Sequence, residues 1–404
     1  MTSLWGTTSA SAVAGYYASR QDAPIWLRGG ETEATSELVA ILRRAPIEGL
    51  SIGPQLASQI EAAAARARSG NVAASNEAER LMSIAWVLYV QTIQAPTSGM
   101  IYGDTAMRPT MLNPEQILAQ ASRARSLVGH LRTASQVNPV YSALRDAAWA
   151  DASASGAVSD KLVANLDRAR ALPATGRFVV VDAAAARLWM YENGAPVDSM
   201  KVIVGKPELP TPMIASMIHY ATFKPYWHVP DHLIRKNVAP NVIKQGAGYL
   251  RTRGYHVVSD WNDDAAIVPP DKVDWAAVAA GRTTVKIRQD PGATNSMGAM
   301  KFAFANGEGI YLHDTPEKAL FAKDQRTLSN GCVRLEDAPR FAQWLMGSVP
   351  QIASTSPEQH IQLRSGVPIY ITYMTAHADG GRLTYSEDVY GRDTSAGARV
   401  AALR

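Results

Sequence analysis

The sequence predicts an α+β chain, with a helical N-terminal domain followed by a mostly β domain. Two textures carry this reading. Up to about residue 175 the chain is alanine-rich, with apolar residues at helical spacing; from Arg177 apolar residues run or alternate as they do in strands. A length of 404 residues suits two or three domains. With 47% hydrophobic and 19% charged residues, the chain can bury large cores and is not disordered overall.

The helical elements come first. "SELVAILRRA" places Leu38, Ile41 and Leu42 on one face, and "PQLASQIEAAAARARS" sets Leu56 and Ile60 four residues apart. "NPEQILAQASRARS" opens with Asn113 as an N-cap and Pro114 at the first helical position. "ADASASGAVS" (Ala150 to Ser159) is small and polar and reads as a linker, before a last helix, "DKLVANLDRARAL". The expected division is therefore 1–150 helical domain, 151–175 linker and connecting helix, and 176–404 β domain.

The β domain begins with the strand "RFVVVDA". "RLWMYENGAPVDSMKVIVG" is two strands joined at Asn193-Gly194, where both residues tolerate positive φ. "MIASMIHYATF", "TTVKIRQ", "MKFAFA", "GIYLH", "VPIYITYMTA" and "RLTYSEDVYG" follow as strands. A helix, "DAPRFAQWLMG", is bounded by Asp337 and Gly347. Between "KPYWHVP" and "TTVKIRQ" lie ~50 residues, far beyond ordinary loops of ~4–6. This stretch, about 230–282, holds Leu233, Ile234, Val242, Ile243, Tyr249, Leu250, Tyr255, Trp261, Val273 and Trp275, so it is expected to form a packed insertion.

Composition excludes several classes. A net charge of +4 without a Lys/Arg block gives no nucleic-acid footprint. The apolar run "LMSIAWVLYV" is far short of the ~20 residues of a membrane span. The start has no basic region followed by an apolar one, so the chain reads as cytosolic or as a mature form with its signal removed. A single cysteine excludes a disulfide framework and a cysteine-based zinc site, and no metal or cofactor is expected.

That cysteine sits in "TLSNGCVRLED". A lone Cys is ordinarily a small buried hydrophobe. This one stands in a polar, glycine-containing turn, where Gly331 allows close backbone approach and the amides near Gly331 and Cys332 can face an oxyanion. A nucleophilic thiol needs a base. Of eight histidines, His313 ends the strand "GIYLH" and precedes "DTPEKAL", where Asp314 or Thr315 is expected to cap a helix from Pro316.

His313 precedes Cys332 by 19 positions (332 − 313), the reverse of the papain order. This order, with Ser329, Gly331, Cys332 and Arg334 in "S-x-G-C-x-R", resembles the L,D-transpeptidases of bacterial cell walls, the YkuD-type family. Asn330 departs from that pattern, which more often has His or Ser there. "VIVGKPELPTP", "IRQDPGATNSMGAMKFAFAN", "IYLHDTPEKALF" and "YITYMTAHADGGRLTYSEDVYGRD" resemble the large members with an N-terminal scaffold domain, and "APIWL" and "ILRRAPIEGL" resemble that scaffold.

The resemblance implies a peptidoglycan L,D-transpeptidase. Cys332 would attack the third-residue carbonyl of a tetrapeptide stem, His313 would act as base and then acid, and D-alanine would leave. An amine of a second stem would take the acyl group, in a 3-3 crosslink. Gly331, Asn330, Ser329, Arg334 and Tyr311 are the expected oxyanion and substrate-binding residues, Arg334 holding a stem carboxylate. The insertion becomes a capping lid, carbapenems become covalent inhibitors, and the compartment becomes the periplasm. A related module for binding peptidoglycan is not expected, because only 12 residues (150–161) separate "VYSALRDAAW" from "LVANLDRARAL". Two other readings stay open: a carboxypeptidase or endopeptidase hydrolysing the same acyl-enzyme, and a non-enzymatic wall scaffold protein.

Overall fold

The computed structural model describes residues 2–21, 23–28, 33–262, 264–349 and 356–393. Helices α1 (Thr2–Ser19), α2 (Glu33–Arg44), α3 (Gly53–Ala67), α4 (Val72–Gln94), α5 (Pro114–Arg123) and α6 (Leu127–Ser135) build the N-terminal bundle. Its core joins Leu38, Ile41 and Leu42 of α2 and Ile60 of α3 with Met82, Trp86 and Tyr89 of α4. Asn113 and Gln116 form a reciprocal capping box at the start of α5. The buried Glu79 accepts N–H bonds from Ile25 (2.8 Å), Trp26 (3.0 Å) and Leu27 (2.6 Å) and the hydroxyl of Tyr17 (2.8 Å). Such pairing is what makes a buried carboxylate tolerable, and it pins "APIWL" to α4.

The linker expected at Ala150–Ser159 is mostly helix. Helix α7 (Pro139–Ser155) runs through it and stops at Gly156, whose φ is 71°; α8 (Asp160–Ala169) follows at once. Alanine favours helix, and Ala148 and Ala152 are buried against Leu162 and Leu166 of α8 and Met374 and Ala376 of the C-terminal segment. No separate globule stands between Trp149 and Leu162.

The strands are β1 (Met100–Tyr102), β2 (Phe178–Asp182), β3 (Arg187–Glu192), β4 (Ala195–Gly205), β5 (Met213–Phe223), β6 (Trp227–His228), β7 (Tyr255–Val258), β8 (Ile267–Val268), β9 (Lys286–Gln289), β10 (Met300–Phe304), β11 (Tyr311–His313), β12 (Thr327–Ser329), β13 (Val333–Leu335), β14 (Gln359–Thr372), β15 (Ala376–Asp379) and β16 (Arg382–Tyr385). Strands β5, β10, β11, β13, β4, β3, β2 and β14 pair in that order, and β14 pairs back onto β5, closing a barrel. The barrel core includes Val179, Val181, Leu188, Val202, Ile214, Phe302, Leu312, Val333 and Ile369. Helix α13 (Ala338–Met346) packs Phe341 and Leu345 into the same core. Asn193 (φ 52°) and Gly194 (φ 82°) make the β3–β4 turn.

One strand comes from outside this domain. β1, in the N-terminal region read as helical, pairs in parallel with the start of β5, Met100 opposite Met213 and Tyr102 opposite Ala215. Three residues between helices carry too little periodicity to be seen in the sequence.

The insertion is a packed unit with its own core. It holds α9 (Asp231–Leu233), a π turn (Ile234–Val238), α10 (Ala239–Gln245), α11 (Gly248–Thr252) and α12 (Trp275–Ala279), set on the sheet β6-β9-β7-β8. Val229, Ile234, Val242, Leu250, Val257, Val278 and Ile287 are buried together. Asn295, fully buried, fastens its root: Nδ2 donates to the carbonyls of Pro225 (3.1 Å) and Asp290 (3.0 Å), on the entering and leaving chains. Among the described residues no helix is long and apolar enough to cross a membrane.

Candidate active site

The two candidate residues arrive on neighbouring strands because of simple alternation. Phe302, Leu312 and Val333 point into the barrel and are fully buried, so the residues on either side of each point out. The registers then write a row across the outer face: His360 beside Thr222, Thr222 beside Lys301, Lys301 beside His313, and His313 beside Arg334. The next row sets Gln362 beside Tyr220, Tyr220 beside Ala303 and Ala303 beside Tyr311. Cys332 immediately precedes β13, so extending the ladder by one step puts it beside Tyr311.

His313 is 5% exposed, and its Nδ1 lies 2.5 Å from the carbonyl oxygen of Asp314. A carbonyl can only accept, so Nδ1 carries the ring proton and Nε2 keeps its lone pair. Burial, and then the Arg334 guanidinium, push the imidazole down to about 4. Burial pushes the half-buried Cys332 thiol up, against the Tyr311 backbone amide and the charges of Arg334 and Lys301. The resting pair is therefore a thiol and a neutral imidazole, not a preformed ion pair. The thiol lies 3.7 Å from the Gly309 carbonyl.

The turn carrying Cys332 is tied internally and to its neighbours. Ser329 Oγ donates to the Cys332 carbonyl (2.6 Å) and accepts from the Gly331 N–H (3.1 Å). The Gly331 N–H, one of the two expected oxyanion donors, is thus engaged by Ser329, and the Cys332 amide is the other. Gly331 itself has φ 116°, a conformation that suits glycine. Its carbonyl accepts from Thr211 Oγ1 (2.7 Å), which also accepts from the Gly205 N–H (2.8 Å). Tyr390 donates to the Gly205 carbonyl (2.5 Å) and stacks on Tyr373, whose carbonyl accepts from Arg168 of α8 (2.9 Å). The Thr211 and Tyr390 contacts join residues more than 100 positions apart, which residue spacing does not signal.

The remaining expected residues are placed as follows. Tyr311 is on the outer face with His313, not in the barrel interior, and Lys301 Nζ lies 5.4 Å from its ring centroid. Arg334 contacts the Glu317 carboxylate. Asn330 is exposed at the turn. The helix expected from Pro316 is a short 3₁₀ turn, Lys318–Ala322. Asp314 caps nothing there, because its carboxylate takes the Ala299 N–H (2.9 Å) and the Lys318 ammonium (2.7 Å). Thr315 Oγ1 accepts from the Glu317 N–H (3.2 Å).

Two histidines at the start of the insertion feel lysines of the barrel. Burial, and then the Lys301 ammonium, hold His228 of β6 below the usual imidazole range. Burial, then Lys236 and Lys206, do the same to His232 of α9; the Lys206 N–H donates to the Ser329 carbonyl (3.0 Å).

Residues 176–371 match the model of the L,D-transpeptidase catalytic domain, YkuD, and residues 11–147 match that of the scaffold domain. A Haemophilus influenzae protein, provisionally named an L,D-transpeptidase, is 24% identical over 388 residues, covering 93% of this chain and 77% of that one. An L,D-transpeptidase from Mycobacterium smegmatis aligns at 14% identity and a TM-score of 0.26, over 49% of this chain and 59% of that one. An LD transpeptidase in complex with imipenem aligns at 14% identity and a TM-score of 0.25, over 49% of this chain and 60% of that one. The chain thus spans about three fifths of the solved structures it resembles.

Proposed function

We propose that this chain, which belongs to the YkuD-type L,D-transpeptidase family and carries its N-terminal scaffold domain, crosslinks peptidoglycan stems through a thioester on Cys332. The observation that carries the reading is a half-buried thiol at the start of β13, the strand that pairs with β11, and on β11 a histidine whose Nδ1–H is fixed on the Asp314 carbonyl. That fixed tautomer leaves Nε2 as the base.

In the first half-reaction His313 takes the Cys332 proton as sulfur attacks the third-residue carbonyl of a tetrapeptide stem. The C–N bond to D-alanine then breaks, and the imidazolium protonates the departing amine. In the second half, His313 takes a proton from the amine of a second stem. That amine attacks the thioester and the thiol is expelled, giving a 3-3 crosslink. The neutral resting pair suits this order, because each proton moves as its bond forms. Burial keeps His313 neutral at pH 7. The Cys332 amide is the donor offered to the oxyanion, with Gly331, Ser329 and Asn330 shaping the turn that aims it and Arg334 and Tyr311 flanking the bound stem.

The insertion serves as a lid; its packed core and its fastening at Asn295 support a rigid cap in that role. By excluding water it favours the amine over hydrolysis. This substrate places the working protein in the periplasm, with carbapenems as acylating inhibitors. The test is incubation with purified tetrapeptide stems. Crosslinked dimer with released D-alanine supports the reading; trimmed tripeptide alone identifies a hydrolase on the same site.

A further inference from the structure

We propose that Lys301 is the carboxylate anchor of this site, receiving a carboxylate of the peptide ligand beside Cys332. The inference rests on the peptide-stem reading above for its natural ligand, but its geometry does not. Lys301 lies directly opposite His313 on the β10–β11 ladder and opposite Thr222 on the other side. Its ammonium sits 5.4 Å from the centroid of the Tyr311 ring, over the row that Cys332 extends. The aromatic face holds the charge near the reacting sulfur.

Lys301 stands in the ladder row of His313 without an anion. Arg334 contacts Glu317, Lys318 contacts Asp314 at 2.7 Å, and Arg288 is 4.0 Å from Asp290. Lys301 makes no ion pair with any carboxylate among the described residues. Its charge lowers both the Cys332 thiol and the His313 imidazole, in keeping with its place opposite His313. Two cations, Lys301 and Arg334, flank the base, and only Arg334 is neutralised. A ligand carboxylate on Lys301 completes the balance, and the cation–π contact with Tyr311 leaves the ammonium's three N–H donors for it.

A tetrapeptide stem with meso-diaminopimelate at its third position offers two such groups next to the scissile bond, the terminal D-alanine carboxylate and the side-chain carboxylate of the diaminopimelate. The experiment has a part that needs no stem. Wild type, Lys301→Met, Lys301→Gln and Lys301→Arg are alkylated with iodoacetate and with iodoacetamide, and Cys332 modification is followed by intact mass. The anchor predicts that the iodoacetate to iodoacetamide rate ratio falls about tenfold in Lys301→Met and Lys301→Gln, the order expected for losing one close charge pair. Lys301→Arg restores it. An unchanged ratio in folded variants overturns the proposal, and so does an equal fall for both reagents, which signals a structural role.

The second part compares stems amidated at the terminal carboxylate, at the side-chain carboxylate, or at neither. The carboxylate whose amidation removes the KM difference between wild type and Lys301→Gln is the one bound. If neither does so, Lys301 binds no stem carboxylate and the proposal fails. If wild type processes no stem while the alkylation ratio still falls, the anion anchor stands and the peptidoglycan reading falls.

Discussion

Thr211→Val removes one hydroxyl and little else. Thr211 is fully buried, and its Oγ1 joins two backbone groups, accepting from Gly205 N–H at 2.8 Å and donating to the Gly331 carbonyl at 2.7 Å. Valine has nearly the same shape, so the change creates no cavity. It leaves a buried donor and a buried acceptor without partners, each worth about 1–3 kcal/mol. The two share one hydroxyl and can relax together, which puts the loss at roughly 2–4 kcal/mol. Because Gly331 immediately precedes the proposed nucleophile, part of that loss falls on the placement of Cys332. A share of about 1.4 kcal/mol in the barrier is a tenfold slower reaction. The assay is the second-order rate of Cys332 acylation by imipenem, followed by intact mass, alongside urea unfolding. Thr211→Val is expected to acylate at least tenfold more slowly and to unfold at lower urea, and Thr211→Ser to recover most of both. A Thr211→Val protein that unfolds early yet acylates at the wild-type rate would show that the clamp holds the fold and not the nucleophile.

Cys332→Ala and His313→Ala are expected to abolish crosslinking while keeping the circular dichroism of the parent; any dimer made by purified Cys332→Ala protein refutes the nucleophile assignment. Burial holds His313 at about 4 in the fold, against about 6.5 in the unfolded chain. Between those values only the unfolded imidazole binds the proton, so stability falls as pH drops from about 6.5 to about 4, by up to ~3 kcal/mol. His313→Asn should flatten that part of the urea-midpoint profile, and an equally steep profile in the variant would place the effect elsewhere. Replacing Leu233–Ala280 with a short Gly/Ser linker should shift product from crosslinked dimer to hydrolysed stem; a folded variant with the parent's product ratio removes the lid from the mechanism.

Legibility followed the range of the forces involved. The β3–β4 turn at Asn193-Gly194, the caps of α5 and α13 and the apolar stripes of α2 and α3 depend on neighbours a few residues away, and all were readable. The thiol and imidazole were readable from residue types and spacing. The partners were not, because they come from far along the chain: Thr211 reaches Gly331 and Tyr390 reaches Gly205. Lys301 passed unnoticed for a related reason. In "MKFAFA" it looks like the ordinary polar member of an alternating strand, and only the β10–β11 register sets it against His313. Asp314 misled because a helix cap and a sheet tie look alike in sequence; its carboxylate went to Ala299 and Lys318 instead.

Strand β1 alters what counts as a separable piece of this molecule. Residues 100–102 belong by chain order to the helical half, yet they hydrogen-bond the start of β5 alongside the barrel's own strands. Gly103, next along, lies so close to that sheet that a Cβ there would come within 1.7 Å of the Ala305 carbonyl oxygen. A gene cut at the connecting helices would hand one fragment a bare sheet margin and the other an orphaned tripeptide. Such margins recruit other copies of themselves. Three residues in the middle of the chain thus make the two halves one unit for expression and folding.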